Sequence, residues 1–152
     1  QAAVALSGIA PPDKRGQVLQ IGGATIINDC YNSNPRALEA MIDTLASMKA
    51  ERRILVVGEM LELGPTAEAL HRECGKHAAE KKIDLVIGVR GMARAVAEAA
   101  CGAGTQAQFV ETPEQAGEWL AHNLRPEDAV LLKASRGVKL ERALERLQES
   151  ST

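Results

Sequence analysis

The stretch that decides the fold lies at residues 53–58 and reads RILVVG. It is a continuous apolar run, which is typical of a strand buried on both faces of a parallel sheet. Two further runs, DLVIGV at 84–89 and AVLLK at 129–133, have the same character. Shorter strands are predicted at 24–28 and 108–110. Together these segments predict a sheet whose central strands are covered on both sides.

Helix signals alternate with these strands. Asn34 as N-cap and Pro35 at the first helical position predict one helix. Thr66 is a candidate cap for a second helix at about 67–81, with Leu70 facing inward. Further helices are predicted at 91–101, from the capping box formed by Thr112 and Gln115, and after Gly137. This alternation predicts an α/β domain of three layers, in which an open, mostly parallel sheet carries helices on both faces.

The first 23 residues have a different character. QAAVALSGIA could be the end of a helix, PPDKRG is a connector rich in proline and charge, and QVLQIGG is a short extended piece. The chain therefore begins directly with an apolar segment whose sequence is typical of a helix. We expect it to begin inside a longer protein.

Composition narrows the classes of function for these 152 residues. The formal net charge of -2 argues against nucleic acid as the main partner, because such domains are usually basic. Cys30, Cys74 and Cys101 are far apart and form no CxxC pair, which predicts free thiols in a reducing cytosol. No apolar run has membrane-spanning length, so no membrane partner is expected.

Ligands of open α/β sheets collect at the carboxyl ends of the strands, which selects the loops 29–35, 58–66 and 133–138. In the first loop, Asp29 could accept hydrogen bonds from ribose hydroxyls, and the amides of Asn32 and Asn34 could bind a ligand at a helix N-terminus. The same loop could equally be a well-capped turn.

The other two loops have similar alternatives. Glu59 and Glu62 could line a cleft or hold a cation, or they could belong to a solvated loop. Lys133, Ser135 and Arg136 suit a carboxylate or a phosphate, although they could form a surface turn.

Some sites are not predicted. The sequence has neither GxxxxGK[ST] nor a GxGxxG after a strand, so the chain has no phosphate loop of its own. His71, His77 and His122 lack the spacing of metal ligands. We predict that these histidines are not catalytic and that the chain has no metal site.

Several segments together resemble one known family, the Mur ligases. They are IINDCYNSNPRALEAMIDTLASM, RILVVGEMLELG, LH at 70–71 followed by Gly75, and VLLKASRG followed by Glu141. The order and spacing fit from about Arg15 to Leu147. The chain is similar to the C-terminal domain of these enzymes, and within the family to the branch that adds D-alanyl-D-alanine.

The resemblance implies a Rossmann-like domain at 17–152, preceded at 1–16 by the end of a central domain and a hinge. It also implies a cytoplasmic ligase of peptidoglycan synthesis, whose partners are ATP, UDP-N-acetylmuramoyl-tripeptide, D-alanyl-D-alanine and its own N-terminal and central domains. In such an enzyme ATP phosphorylates the peptide carboxylate, and the dipeptide amine attacks the acyl phosphate. Mg²⁺ and ATP would be held mainly by the central domain, so the domain alone is expected to be inactive.

The resemblance also implies roles for individual residues. Arg15 would contact the ATP phosphates, and Asp29 would hold the ribose and that arginine; both are candidate catalytic residues. The nucleotide would also lie near a loop formed by Tyr31, Asn32, Asn34 and Pro35. The dipeptide would bind near Asn34, Lys133, Ser135 and Arg136.

The sequence departs from the family pattern in places. Asn28 replaces one of two acids that usually precede this loop, and Ala134 stands where glycine is usual, which would add a methyl near the carboxylate site. Two alternatives to the dipeptide ligase are a stand-alone module that binds a nucleotide or small anion, and a sibling ligase that adds a single amino acid.

Overall fold

The computed structural model describes residues 17–29, 34–61 and 63–150. The strands are β1 (Gln17–Ile21), β2 (Ala24–Asp29), β3 (Arg52–Gly58), β4 (Leu85–Val89), β5 (Gln106–Val110) and β6 (Asp128–Lys133). The helices are α1 (Pro35–Ser47), α2 (Ala67–Glu80), α3 (Ala93–Gly102), α4 (Pro113–Asn123) and α5 (Glu141–Ser150). Short 3-10 turns lie at Gly64–Thr66 and Arg136–Val138. The helix end predicted within residues 1–16 lies outside the described residues.

The strands form one sheet in the order β1-β2-β6-β3-β4-β5. β1 and β2 are an antiparallel hairpin, while each of the other neighbouring pairs is parallel. Gly22 and Gly23, with φ of 58° and 85°, make the two-residue turn of the hairpin, which requires the left-handed region at both positions. The mostly parallel sheet predicted from the sequence is therefore confirmed.

Side chains of successive strand residues face opposite helical layers. Ile27 and Leu55 pack with apolar residues of α1, α2 and α3. Ile26 and Ile54 pack instead with residues of α4 and α5. Because side chains alternate along a strand, each central strand is apolar on both faces, which accounts for the continuous apolar runs in the sequence. The predicted three-layer architecture is confirmed.

Two helix starts follow the predicted capping chemistry. The side chain of Asn34 accepts a hydrogen bond of 2.8 Å from the Ala37 N–H, and Pro35 is the first residue of α1. At α4, the Thr112 hydroxyl accepts the Gln115 N–H, and the Gln115 side chain accepts the Thr112 N–H. Each cap satisfies backbone donors that the first turn of a helix leaves free.

Other details of the helices differ from the prediction. Thr66 precedes α2 but makes no side-chain cap, because the 3-10 turn Gly64–Thr66 leads directly into the helix. Leu70 is only half-buried, and His71 takes the fully buried position on this turn. α3 begins at Ala93, two residues after its predicted start. None of the helices within 17–29, 34–61 and 63–150 is long and apolar enough to cross a membrane.

Candidate functional site

A crevice is expected where adjacent parallel strands send their following helices to opposite faces. β3 continues into α2 on one face, whereas its neighbour β6 continues into α5 on the other. The loops that leave β3 and β6 therefore part at the carboxyl end of the sheet. These are two of the three loops selected from the sequence, and β2 lies on the other side of β6.

Asp29 and Lys133 form a buried ion pair at this edge. They are paired in the parallel register of β2 and β6, so both side chains project from the same face of the sheet. Lys133 Nζ lies 2.8 Å from Asp29 Oδ2, and the two residues are only 2% and 5% exposed. Two of the loops selected from the sequence thus bring their first charged residues together at the carboxyl edge of the sheet. The pair is not a surface turn with the lysine in solvent, which was the alternative for Lys133.

The second carboxylate oxygen of Asp29 is also buried. Asp29 Oδ1 accepts no hydrogen bond from any described residue, and neither does the side-chain oxygen of the adjacent Asn28. A buried charged oxygen without a donor is costly. Asp29 thus offers an acceptor that a donor outside the described residues could use.

Ser135 connects the loops that follow β3 and β6. Its hydroxyl accepts a hydrogen bond of 2.8 Å from the Leu61 N–H, and its own N–H donates to the Glu59 carbonyl at 3.4 Å. The serine is buried, with 6% of its surface exposed. Its side chain joins the loops that follow β3 and β6. A contact between Ser135 and substrate remains a prediction.

Glu59 binds the start of α3. Its carboxylate Oε2 accepts the Met92 N–H at 3.1 Å and lies against Gly91, whose φ is +53°. A Cβ on Gly91 would lie 2.3 Å from that oxygen, so a larger residue here would displace the Glu59 carboxylate. Glu59 therefore joins the loop after β3 to the loop after β4, instead of belonging to a solvated loop.

Arg90 is a rim residue that sequence reasoning missed. It follows β4 directly, is exposed, adopts a φ of +71°, and donates from Nη1 to the Gly137 carbonyl at 3.2 Å. It lines a pocket of about 440 Å³ together with Lys139 and Arg142 and the acids Glu111 and Glu114. The signal that could have found it is a cation immediately after the apolar strand at 84–89, which is a fourth carboxyl end of the sheet.

The methyl of Ala134 packs in the core, and its expected effect on a carboxylate site stays a prediction. Its methyl does not lie beside the ion pair, because residue 134 follows Lys133 and faces the opposite side of the strand. Ala134 is fully buried in the core that includes α4 and α5. There it lies so close to Gly58 that a Cβ on that glycine would come within 2.5 Å of the Ala134 Cβ.

The remaining predicted residues divide into two groups. Asn34 and Pro35 lie at the start of α1, where Asn34 acts as the cap. Arg136 begins the turn Arg136–Val138. The other predicted residues, or their side chains, lie outside the part of the chain that the structure describes. They are Arg15, Tyr31, Asn32, Glu62 and the side chain of Arg136.

The histidines have partners that fit structural roles. His77 Nε2 lies 2.7 Å from Asp43, and His122 bonds a carbonyl of its own helix. His71 lies in the core against Met60. Within the described ranges, no group of three or more His, Cys, Asp or Glu side chains could hold a metal ion.

Comparison with known families gives a match over most of the chain. The profile of the family described as Mur ligase, glutamate ligase domain, matches residues 14–136. The chain is 34% identical over 153 aligned positions to the UDP-N-acetylmuramoyl-tripeptide–D-alanyl-D-alanine ligase of Bacillus subtilis, covering 98% of this chain and 34% of that enzyme. It is 32% identical to the Escherichia coli enzyme of the same name, covering 84% of this chain and 27% of the enzyme.

Solved structures agree with the sequence comparison. The crystal structure of a MurF ligase from Thermotoga maritima in complex with ADP is similar, with a TM-score of 0.79 and 27% identity. The similarity covers 97% of this chain and 33% of that one. The chain thus spans about a third of the length of the relatives that it matches.

Proposed function

Because this chain belongs to the Mur ligases, through the glutamate ligase domain of that family, we propose that it is the C-terminal domain of an ATP-dependent ligase. The ligase adds D-alanyl-D-alanine to UDP-N-acetylmuramoyl-tripeptide during peptidoglycan precursor synthesis in the cytoplasm. The relatives are about three times as long, and the other two thirds would be an N-terminal and a central domain. Residues 1–16 would be the end of the central domain and the hinge.

One observation carries the proposal: a buried, charged rim at the carboxyl ends of β2, β6 and β3. The buried Asp29–Lys133 pair ends β2 and β6, and Ser135 and Glu59 lie in the loops that follow β6 and β3, at the edge where open α/β sheets bind ligands. Relatives with 32% and 34% identity over this domain are named as ligases that join D-alanyl-D-alanine to UDP-N-acetylmuramoyl-tripeptide. A similar structure contains ADP.

The proposed reaction has two steps. The tripeptide carboxylate attacks the γ-phosphorus of ATP, so ADP leaves and an acyl phosphate forms. The dipeptide amine then attacks the acyl carbon, losing a proton as the amide bond forms, and inorganic phosphate leaves. The work of such a domain is to position the nucleotide and the amine and to exclude water, because proximity alone supplies a large part of the rate.

On the nucleotide side, Asp29 is the anchor. Its Oδ2 is held by Lys133, and its buried Oδ1 has no donor among the described residues. We assign to that oxygen the ribose hydroxyls or the Arg15 guanidinium. Tyr31, Asn32, Asn34 and Pro35 would flank the nucleotide at the start of α1, where free backbone N–H groups favour anionic groups.

On the dipeptide side, the free carboxylate needs a cation. The Lys133 ammonium is paired with Asp29. It would therefore attract the dipeptide carboxylate through the electrostatic field of the pair. Ser135 and Arg136 border the same loop. Arg90 adds an exposed guanidinium that already contacts Gly137, and a guanidinium is suited to binding a carboxylate through two hydrogen bonds.

The proposal includes Mg²⁺ only as the ion that accompanies the nucleotide. The described residues do not fit a magnesium site, because Asp29, the carboxylate nearest the proposed nucleotide, is paired with Lys133 and no cluster of metal-ligating side chains is present among them. We therefore assign Mg²⁺ mainly to the central domain, and no step depends on its position here.

The decisive experiment measures ADP release by the chain joined to the N-terminal and central domains of its own gene. Release should require ATP, UDP-N-acetylmuramoyl-tripeptide and D-alanyl-D-alanine together, and mass spectrometry should find the pentapeptide product. If a single amino acid replaces the dipeptide with equal or better turnover, the sibling ligase is the correct function. Absence of ligation with every amine would reject the ligase proposal.

The 152-residue chain alone tests the binding-module alternative. We expect no ligation and only weak binding of ATP, ADP or D-alanyl-D-alanine by calorimetry, because most of the nucleotide contacts would come from another domain. Tight nucleotide binding by this chain would favour the stand-alone module.

A matched pair of variants tests the cationic rim within the ligase. Arg90→Ala should raise KM for the dipeptide by about tenfold or more, since a hydrogen bond to a charged group contributes roughly 1.5–3 kcal/mol. Arg72→Ala is the control, because Arg72 is a half-exposed cation whose partners, Glu68 and Glu98, are both on helices. An equal effect of both variants would remove Arg90 from the site.

A further inference from the structure

His71 is fully buried on α2, and both of its ring nitrogens have hydrogen-bond partners. The Met60 N–H donates to Nε2 at 2.9 Å, and Nδ1 lies 2.7 Å from the Ala67 carbonyl oxygen. A carbonyl oxygen can only accept and a backbone N–H can only donate. The ring must therefore be neutral, with its proton on Nδ1 and its acceptor on Nε2.

The residue that His71 holds belongs to a loop of three consecutive anchored residues, Glu59, Met60 and Leu61. Glu59 accepts the Met92 N–H at the start of α3 and the Ser135 N–H from the loop after β6. The Leu61 N–H donates to the Ser135 hydroxyl. Met60, between them, is fixed by the imidazole. The loop 59–61 thus joins α2, α3 and the loop that carries the predicted substrate-binding serine.

Loop 59–61 also packs directly against loop 133–138. A Cβ on Gly137 would lie 2.8 Å from Leu61 Cδ1, so the two loops are in van der Waals contact. Arg90 in turn donates to the Gly137 carbonyl. A displacement of Met60 would therefore be transmitted to Ser135, Gly137 and Arg90.

We propose that His71 is a positioning residue of the proposed ligation: it holds loop 59–61 through Met60 and so sets the position of Ser135 at the dipeptide side of the crevice. The proposal rests on the proposed function for its catalytic consequence. The imidazole does more than fill space in the core. An apolar side chain could occupy the same buried position, but it would leave the buried Met60 N–H without this hydrogen-bond acceptor.

The first test uses the 152-residue chain and does not depend on activity. Nitrogen-15 spectra should identify the Nδ1–H tautomer of His71, and the Met60 and Leu61 amides should be protected from hydrogen exchange. In His71→Leu these two amides should exchange at least about tenfold faster than in the unchanged chain, while the buried amides of β3 keep their protection. His71→Gln, whose side-chain oxygen can accept the Met60 N–H, should restore their protection.

A control separates local from global effects. Ala78 lies two turns further along α2, is buried, and its carbonyl accepts the Ile83 N–H at the end of the helix, so Ala78→Gly should lower stability without a selective effect on Met60 and Leu61. If His71→Leu leaves both amides as protected as in the unchanged chain, or if Ala78→Gly exposes them equally, the positioning role is wrong.

The second test measures kinetics in the ligase that contains this domain. His71→Leu should raise KM for D-alanyl-D-alanine by about tenfold or lower kcat, with KM for ATP changed less; His71→Gln should recover most of the loss, and Ala78→Gly should not reproduce it. Equal changes in both KM values, or no rescue by glutamine, would overturn the catalytic part. If the unchanged ligase does not join the dipeptide at all, the proposed function fails, and the exchange data alone decide whether His71 holds the loop.

Discussion

Replacement of Lys133 by methionine tests the central feature of the site. Methionine has nearly the length of the lysine stem but no charge, so Asp29 Oδ2 loses the ammonium at 2.8 Å. The other oxygen, Oδ1, already lacks a donor among the described residues. Removing one partner of a buried pair leaves an uncompensated charge and costs about 3–5 kcal/mol. We expect Lys133→Met to lose roughly this free energy of unfolding.

Urea unfolding of the 152-residue chain at neutral pH measures the loss. With a slope of about 2 kcal/mol per molar urea, the transition midpoint should fall by about 2 M. The double variant Asp29→Asn, Lys133→Met should lose less than Lys133→Met alone, because it removes the buried charge that the single variant leaves behind. Lys81→Met is the control, since Lys81 forms a surface pair with Asp43 at 3.6 Å and should shift the midpoint little. A fall below about 0.5 M for Lys133→Met, or a double variant as unstable as the sum of the singles, would refute the reasoning.

Three further predictions concern the helical layer of α2. Gly75→Ala should lower the melting temperature, because its Cβ would lie 2.3 Å from a carbonyl oxygen of α3, and overpacking of this kind costs about 1–3 kcal/mol; differential scanning calorimetry measures the change. At pH 8, iodoacetamide should modify the exposed Cys101 and spare Cys74, because burial raises the pKa of the Cys74 thiol to about 12; peptide mass mapping checks this. The hydrogen bond from His77 lowers the pKa of the Asp43 carboxyl, so its stabilising contribution is present above about pH 4 and is lost as pH falls through the folded-state pKa. Asp43→Asn should therefore lower the urea midpoint at pH 6, and the difference from the unchanged chain should shrink as the pH falls below about 4.

Most of the fold could be predicted because burial on both faces leaves a direct trace in sequence. The run RILVVG has no polar alternation, since Leu55 faces α1–α3 and Ile54 faces α4 and α5. Asn34 and Thr112 signalled helix starts because side-chain caps are local and depend on the next three residues. The cap predicted at Thr66 is wrong, because a 3-10 turn can begin a helix without a side-chain cap.

The site could be predicted only in part. Asp29 and Lys133 were found because each ends a strand, and the position of a strand end is a local property of the sequence. That they touch depends on β6 entering the sheet beside β2, which no local pattern encodes. The contacts of Glu59 and His71 could not be predicted, because their partners Met92 and Met60 donate through backbone N–H groups, which the sequence does not distinguish.

Strand order and register therefore determine the chemistry of this domain more than any single motif. Asp29 and Lys133 are 104 residues apart in the chain, and they meet because β6 lies between β2 and β3 in a register that opposes these two residues. A shift of β6 by one residue would turn Lys133 toward α4 and α5 and place a neutral side chain beside Asp29, since successive side chains face opposite sides. The small residues Gly58 and Ala134 resist such a shift, because they pack against each other at the end of adjacent strands and leave no room for a larger side chain. The same contact that fixes the register of the core thus fixes the charge pair at its rim, so the carboxyl edge of the sheet can be both buried and charged.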